Sequence, residues 1–321
     1  MCTAVSINDN GHFFGRTLDV ECSFGEKILV TPRKYSFNFL YEGSLYNHYA
    51  IIGVAHKNDR FPLYYDGANE CGLCIAGLNF ARNAVYHMCN KEKHNVTSYE
   101  LIPWILGKCR DVESAIELLK CTNITPDSFS SDLPATPLHW IISDKDISVV
   151  IESTKDGLRI HNNPVGVLTN NPDFSFHLLN LSQYVNLSPV TPQNKLAPFL
   201  QIKQFSKGFG AIGLPGDYSS TSRFVRATFV KNNTRGYENQ VSRLLKILDS
   251  VSVPYGCVVN NDSTPSYTVY TSCIDASQGI YYYTTFKCHR ICSIHLNSLN
   301  LDTSSPIFYD MADSEDIKKQ P

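Results

Sequence analysis

The chain reads as an α+β protein built from two antiparallel sheets with helices packed outside them. Two observations carry that reading. Runs of strands come in blocks, and the helical patterns come in pairs between the blocks instead of alternating one for one with strands as in a βαβ protein. Apolar residues make up 43% of the 321 positions and charged residues 18%, the balance of an ordinary globular chain with a large core.

The first strand pattern is Thr3 to Ile7. Asn8-Asp9-Asn10-Gly11 then turns the chain, and His12 to Asp19 runs back as the second arm of a hairpin. Strand patterns follow at Lys27–Thr31, Tyr35–Leu40, Tyr49–Val54 and Gly72–Asn79, separated by Gly, Pro and Asn. Ser98–Cys109 carries apolar residues at helical spacing. Asp111 is placed to cap a second helix, Val112–Lys120, whose Val112, Ala115, Ile116 and Leu119 share a face. A second strand block covers Leu138–Ser143, Ile147–Ser153 and Leu158–His161. Helical spacing returns at Phe174–Tyr184, Ser222–Lys231 and Glu238–Leu248, and the last strands are Tyr267–Ile274 and Ile280–Phe286. There is no internal repeat and no low-complexity linker. One domain over residues 2–321 is therefore expected, with the polar stretch 186–217 as a long excursion that serves assembly.

A net charge of -2 with no Lys/Arg block argues against nucleic acid, so a small-molecule substrate is expected. No apolar run approaches the roughly 18 residues of a membrane span. The opening segment alternates like a strand and does not resemble a signal peptide. Eleven cysteines without a secretory leader are read as reduced thiols, which points to the cytoplasm.

The most reactive of these thiols sits at position 2. Trimming of Met1 would give Cys2 a free α-amine beside its thiol, a nucleophile and a general base on one residue. The hairpin returns Arg16 and Asp19 toward it. A guanidinium there would draw a thiol from about 8.5 toward neutrality, and a carboxylate could orient the ammonium. Competing chemistries are weaker. Cys71-Gly72-Leu73-Cys74 followed by His87 approaches a zinc spacing, but His94 comes too late for the second histidine. A thiol-rich zinc-binding module without turnover is the rival from another class. No G-x-S-x-G elbow, P-loop or G-x-G-x-x-G fingerprint is present.

Taken in order, Met1-Cys2-Thr3-Ala4, Phe14-Gly15-Arg16-Thr17-Leu18-Asp19, Pro62-Leu63-Tyr64-Tyr65-Asp66, Ala76-Gly77-Leu78-Asn79-Phe80, Gly166-Val167-Leu168-Thr169-Asn170-Asn171-Pro172, Gly213-Leu214-Pro215-Gly216-Asp217 and Ser222-Arg223-Phe224-Val225 form a pattern that runs nearly end to end. It resembles the choloylglycine hydrolase family of N-terminal nucleophile amidases, especially its bile salt hydrolases. The resemblance implies a four-layer αββα sandwich, hydrolysis of glycine- or taurine-conjugated bile acids, no cofactor or metal, and a homotetramer. It also implies roles: Cys2 as nucleophile, Arg16 beside the thiol, Asp19 at the amine, Asn79 and Asn170 at the oxyanion, and Arg223 as the remaining active-site arginine. Taken alone, Asn79 would read as a strand-end turn residue, Asn170 as an Asx turn and Arg223 as a solvated residue in a first helical turn. The ordered match reverses that preference.

Within the family the nearest rival is penicillin V acylase, which often has Tyr where this chain has Asn79; an N-acyl homoserine lactone acylase is more distant. The chain departs from bile salt hydrolases at Ala55-His56-Lys57-Asn58-Asp59-Arg60 and at Ala81-Arg82-Asn83. A charged rim around His56, Lys57 and Arg60 is expected to disfavour a flat apolar steroid.

Overall fold

The computed structural model describes residues 1–58 and 60–321, so Asp59 of the charged loop lies outside the described residues. Two antiparallel sheets carry the fold. The first has the spatial order Val167–Leu168, Cys2–Ile7, Phe13–Val20, Pro265–Asp275, Ile280–Thr285, Cys288–His295, with Val258–Val259 paired to the start of Pro265–Asp275. The second runs Gly157–Asn162, Ser148–Thr154, Leu138–Ser143, Cys74–Asn79, Asp66–Asn69, Ile51–His56, Glu26–Thr31, Ile307–Asp310, with Leu63–Tyr64 against Ile51–His56.

Among the described residues five α-helices accompany them: α1 Leu101–Lys108, α2 Val112–Lys120, α3 Phe174–Asn180, α4 Ser220–Asn233 and α5 Gln240–Asp249. One core joins the facing sides of the two sheets and continues to α4 and α5, through residues such as Val5, Phe14, Val54, Ile141, Phe224 and Leu244. A second core holds α1 and α2 on the outer face of the second sheet, where Leu101, Trp104 and Leu119 meet Ile75, Trp140 and Ile151. The layers are thus helix, sheet, sheet, helix, as the resemblance implied. Every residue of Cys2–Ile7 is buried because both faces of that strand are covered.

Most expected elements are present within a few residues. The first helix starts at Leu101 and not at Ser98, because Glu100 uses its carboxylate to accept from the Thr97 and Leu40 backbone N–H groups at 3.0 and 2.7 Å. Asp111 caps α2 as expected, accepting from Ser114 N at 2.9 Å in a reciprocal capping box. Asp66–Asn69, Cys288–His295 and Ile307–Asp310 are strands that the sequence pattern does not mark. Residues 186–217 contain only the 3₁₀ turn Phe209–Ala211 as regular structure. Gly15 has a packing reason: a Cβ there would lie 2.2 Å from the Ser272 carbonyl oxygen, so glycine lets Phe13–Val20 close onto Pro265–Asp275 beside Arg16.

A polar knot ties the sheets at the turn end of the hairpin. Ser6 Oγ lies 2.6 Å from Ser143 Oγ, and His12 meets Ser143 Oγ at 3.1 Å through Nε2 and the Gly72 carbonyl at 3.2 Å through Nδ1. His12 is buried, and burial pushes its imidazole down to about 4, against the upward pull of Asp144 and the Gly72 carbonyl. A histidine depressed in the folded state resists protonation that the unfolded chain accepts. Its contribution is therefore whole above the ordinary value of 6.5 and is lost as pH falls toward about 4. We predict a loss on the order of 3 kcal/mol across that window. Urea unfolding of the parent and of His12→Asn at pH 7.5 and pH 4.5 checks it. The variant should lose less stability between the two pH values than the parent, and equal losses would refute the assignment.

Candidate active site

Strand pairing sets the geometry around position 2. Cys2 lies opposite Leu18 in the hairpin, with Arg16 opposite Ala4. Arg16 is fully buried between the sheets. Its Nη2 donates to Cys2 Sγ at 2.6 Å, its Nη1 to the carbonyls of Gly77 at 2.8 Å and Tyr65 at 3.1 Å, and its Nε to the Thr17 carbonyl at 3.2 Å. Burial opposes the charge, yet the Cys2 sulfur, Tyr270, Asp66 and Asp19 together hold the guanidinium above its ordinary value.

The second arginine comes from the first turn of α4. Arg223 is also fully buried. It donates to the Cys2 carbonyl and to Thr3 Oγ1 (2.7 Å) through Nη1, to Asn170 Oδ1 (2.7 Å) through Nη2, and to the Tyr218 carbonyl (3.0 Å) through Nε. Burial pulls its guanidinium below the ordinary value, against the pull of Asp19 and Cys2. The expectation of a solvated first-turn arginine, which the isolated residue would have carried, does not describe this side chain.

Asn170 is the hub of the site. Its Oδ1 accepts from the Cys2 backbone nitrogen at 2.8 Å as well as from Arg223, and its Nδ2 donates to the Asn79 carbonyl at 2.8 Å. Asn79 closes the Cys74–Asn79 strand, and its own Oδ1 accepts from Ala81 N at 2.9 Å. Its Nδ2 has no protein partner among the described residues. The neighbouring Asn171 turns away, donating to the Ala81 carbonyl and to Asn83 Oδ1 at 2.6 and 2.8 Å.

Asp19 reaches the site through its backbone. Its carbonyl accepts from the Met1 amino group at 2.5 Å and its N–H donates to the Met1 carbonyl at 3.0 Å. Its carboxylate accepts from Thr268 Oγ1 at 2.6 Å and Thr17 Oγ1 at 3.1 Å. With Met1 attached, the Cys2 nitrogen is an amide whose lone pair is delocalised and cannot act as a base. It is held by Asn170 and not by the Asp19 carboxylate.

All six residues singled out from the sequence, Cys2, Arg16, Asp19, Asn79, Asn170 and Arg223, thus converge at one end of the sandwich. Several supporting side chains carry no such signal. Ser220 Oγ accepts from Asn170 N at 2.8 Å; the His177 and His139 rings hold the Asn170 and Thr169 carbonyls at 2.8 and 2.9 Å; Thr268 holds Asp19. No local motif marks them; Ser220, His139 and Thr268 reach the site through long-range pairings, and His177 folds back onto Asn170 from α3 seven residues on. The zinc alternative is not gathered: Cys74 is buried between the sheets, His87 Nε2 meets the Thr154 carbonyl at 2.8 Å, and His94 pairs with Glu42. Among the described residues no group of three or more His, Cys, Asp or Glu side chains is arranged to hold a metal ion.

Beside Arg16 opens a cavity of about 160 Å³ walled by Leu63, Tyr65, Tyr99, Phe129, Leu133 and Leu138. Tyr65 and Gly77, whose carbonyls Arg16 holds, both line it. A larger cavity of about 680 Å³ around Arg33 and Glu70 contains neither of the residues whose carbonyls Arg16 holds, so adjacency and not size selects the smaller one. The charged loop divides. Arg60 stacks over the Phe129 ring at 5.2 Å and donates to the Phe129 carbonyl. His56 meets the Phe24 carbonyl, and Lys57 lies over Phe308 at 4.9 Å. Arg60 thus touches the cavity wall through its side chain and His56 through its strand pairing with Leu63, while Lys57 turns to Phe308.

Comparison with known proteins agrees with this arrangement. The family described as linear amide C-N hydrolases, choloylglycine hydrolase family, matches residues 2–309. A bile salt hydrolase/transferase of Lactiplantibacillus plantarum is 46% identical over 96% of both chains, and one of Clostridium perfringens is 37% identical over 94% of both. A crystal structure of a variant conjugated bile acid hydrolase from Clostridium perfringens superposes with a TM-score of 0.93 at 34% identity, covering 99% of each chain. Penicillin V acylase from Agrobacterium tumefaciens shares the fold, with a TM-score of 0.77 at 21% identity over 98% of this chain and 92% of its own. The chain is a linear amide C–N hydrolase and belongs to the choloylglycine hydrolase family.

Proposed function

We propose that the chain hydrolyses the amide bond of glycine- or taurine-conjugated bile salts, with Cys2 as nucleophile and, once Met1 is removed, its α-amine as base. The observation that carries this reading is a buried thiol 2.6 Å from a buried guanidinium, with the nitrogen of the same residue bonded to Asn170, the guanidinium in turn holding two residues that line an apolar cavity. The amine takes the thiol proton and sulfur adds to the substrate carbonyl. Asn79 Nδ2 and the second Nδ2 hydrogen of Asn170 are the donors for the developing oxyanion. Collapse breaks the C–N bond, the ammonium proton passes to the departing glycine or taurine nitrogen, and water then hydrolyses the thioester. Arg16 steadies the thiolate; Arg223 holds the Cys2 carbonyl and Asn170; Asp19 anchors the N-terminal residue.

The bile-salt assignment draws on the relatives at 46% and 37% identity and on the apolar cavity walls. A pocket for a drug-sized ligand is usually about 300 Å³ or more. A steroid therefore extends beyond the 160 Å³ cavity toward Arg60 and the Phe129–Leu133 wall, or displaces that wall. Parallel assays with glycocholate, taurocholate and penicillin V test the assignment. Preferred cleavage of penicillin V would overturn the substrate while leaving the reaction class intact.

Intact-mass analysis of active enzyme should find Cys2 as the first residue, and Met1 still attached to fully active protein would sink the mechanism. Asn170→Ala should lower kcat by about 10²–10³ with little change in KM, the size of one lost oxyanion donor. A raised KM with unchanged kcat would make Asn170 a substrate-binding residue instead.

We also read the protein as a cytoplasmic homotetramer. All eleven cysteines are free, in keeping with a reducing compartment. The excursion over residues 186–217 leaves Leu196 93% and Phe205 91% exposed, with Phe199 at 85%, more apolar surface than an isolated chain keeps without a partner. Replacing these three by Ser should reduce the native mass in light scattering from a tetramer to a smaller species. An unchanged mass would exclude this segment from assembly.

A further inference from the structure

The Arg16 guanidinium is buried with no carboxylate in hydrogen-bond contact among the described residues: its partners are three carbonyl oxygens and the Cys2 sulfur. A buried cation needs a counter-charge. The second sheet supplies one at Asp66, fully buried at the start of Asp66–Asn69 and next in sequence to Tyr65, whose carbonyl Arg16 holds. Each Asp66 oxygen accepts one phenol from the opposite sheet, Oδ2 from Tyr270 and Oδ1 from Tyr281, both at 2.6 Å. Two short donors aimed at the two oxygens form a cradle built for a carboxylate.

We propose that Asp66, held by Tyr270 and Tyr281, is the buried counter-charge of Arg16 and a positioning residue that tempers the pull of the guanidinium on the Cys2 sulfur. The inference rests on Cys2 being the nucleophile. Two groups that can carry negative charge act on Arg16, the Cys2 sulfur and Asp66. The more negative Asp66 is, the less positive potential reaches sulfur. The balance keeps the thiol reactive, since a thiolate stabilised too strongly is a poorer nucleophile. The charged and titratable groups around Cys2 are Arg16, Arg223 and Asp19; those around Asp66 are Arg16, Tyr270, Tyr281 and the Cys74 thiol. Burial pushes the Asp66 carboxyl up, while Arg16 and the two phenols pull it down.

The test is the pH dependence of Cys2 alkylation by iodoacetamide, mapped to Cys2 by peptide mass and measured on Met1-free protein. In Asp66→Asn the midpoint should fall by about one pH unit, the scale of one charge interaction inside a protein, and the acid limb of kcat/KM should move with it. Tyr281→Phe removes one of the two donors that keep Asp66 ionised and should shift the midpoint the same way by less. A merely structural role would loosen Arg16 and move the midpoint upward. An upward or unmoved midpoint in folded Asp66→Asn, or in Tyr281→Phe where the first variant does not fold, overturns the proposal. Turnover retained in Cys2→Ser would overturn the nucleophile itself, a separate failure from an unmoved midpoint when Cys2→Ser is inactive.

Discussion

The contact on which the site depends is the one between the Arg16 guanidinium and the Cys2 sulfur. It is made possible by a cation that has been taken wholly out of water. Such burial is costly unless every donor is satisfied, and Arg16 satisfies its donors by reaching across the gap between the sheets to the Tyr65 and Gly77 carbonyls. The same side chain therefore joins the layers, holds two residues of the cavity wall and faces the thiol. Gly15 beside it lets the adjacent strand approach closely enough for that reach. Stability and reactivity meet in one residue, and neither sheet could be displaced without moving the sulfur's neighbour.

Around this contact the fold divides labour by layer. The hairpin supplies Cys2, Arg16 and Asp19; the second sheet supplies Asn79 and the carbonyls under Arg16; the loop after Val167–Leu168 supplies Asn170; α4 supplies Arg223. Arg16, Asp19, Asn170 and Arg223 are each oriented by several neighbours, whereas the Asn79 side chain is bonded to Ala81 N and keeps its Nδ2 for the site. Asn170 is fixed at its side-chain oxygen, its side-chain nitrogen, its backbone nitrogen and its carbonyl. A donor fixed so fully can meet developing charge without reorganising, which is the condition for electrostatic stabilisation of an oxyanion.

Much of this is legible in the amino-acid sequence. The hairpin, Asp111 as a cap and the paired helices follow from local chemistry, and the six clustered residues follow from ordered motifs. What the sequence hides is long-range. Asp66–Asn69 is only four residues with an acidic and an amide end, a poor strand signal, and it is a strand because its neighbours Ile51–His56 and Cys74–Asn79 need a partner between them. Cys288–His295 is an edge strand in which five of the eight positions, both histidines among them, are exposed, so no buried alternation marks it. Lys57 and Arg60 part company, because proximity in sequence does not fix which way a loop side chain turns; aromatic rings at Phe308 and Phe129 draw them apart.

The strand order of the first sheet has a consequence for how the molecule comes into being. Cys2–Ile7 lies between Phe13–Val20, available at once, and Val167–Leu168, while Thr268 on the far side of the hairpin arrives from near the other end of the chain. Contacts of such separation close slowly, because loop entropy must be overcome before they reward the chain. Cys2 is thus among the last residues to acquire its full surroundings, and a chain halted before α4 carries the thiol without Arg223 or the Thr268 anchor. Completion of the site reports completion of the whole fold.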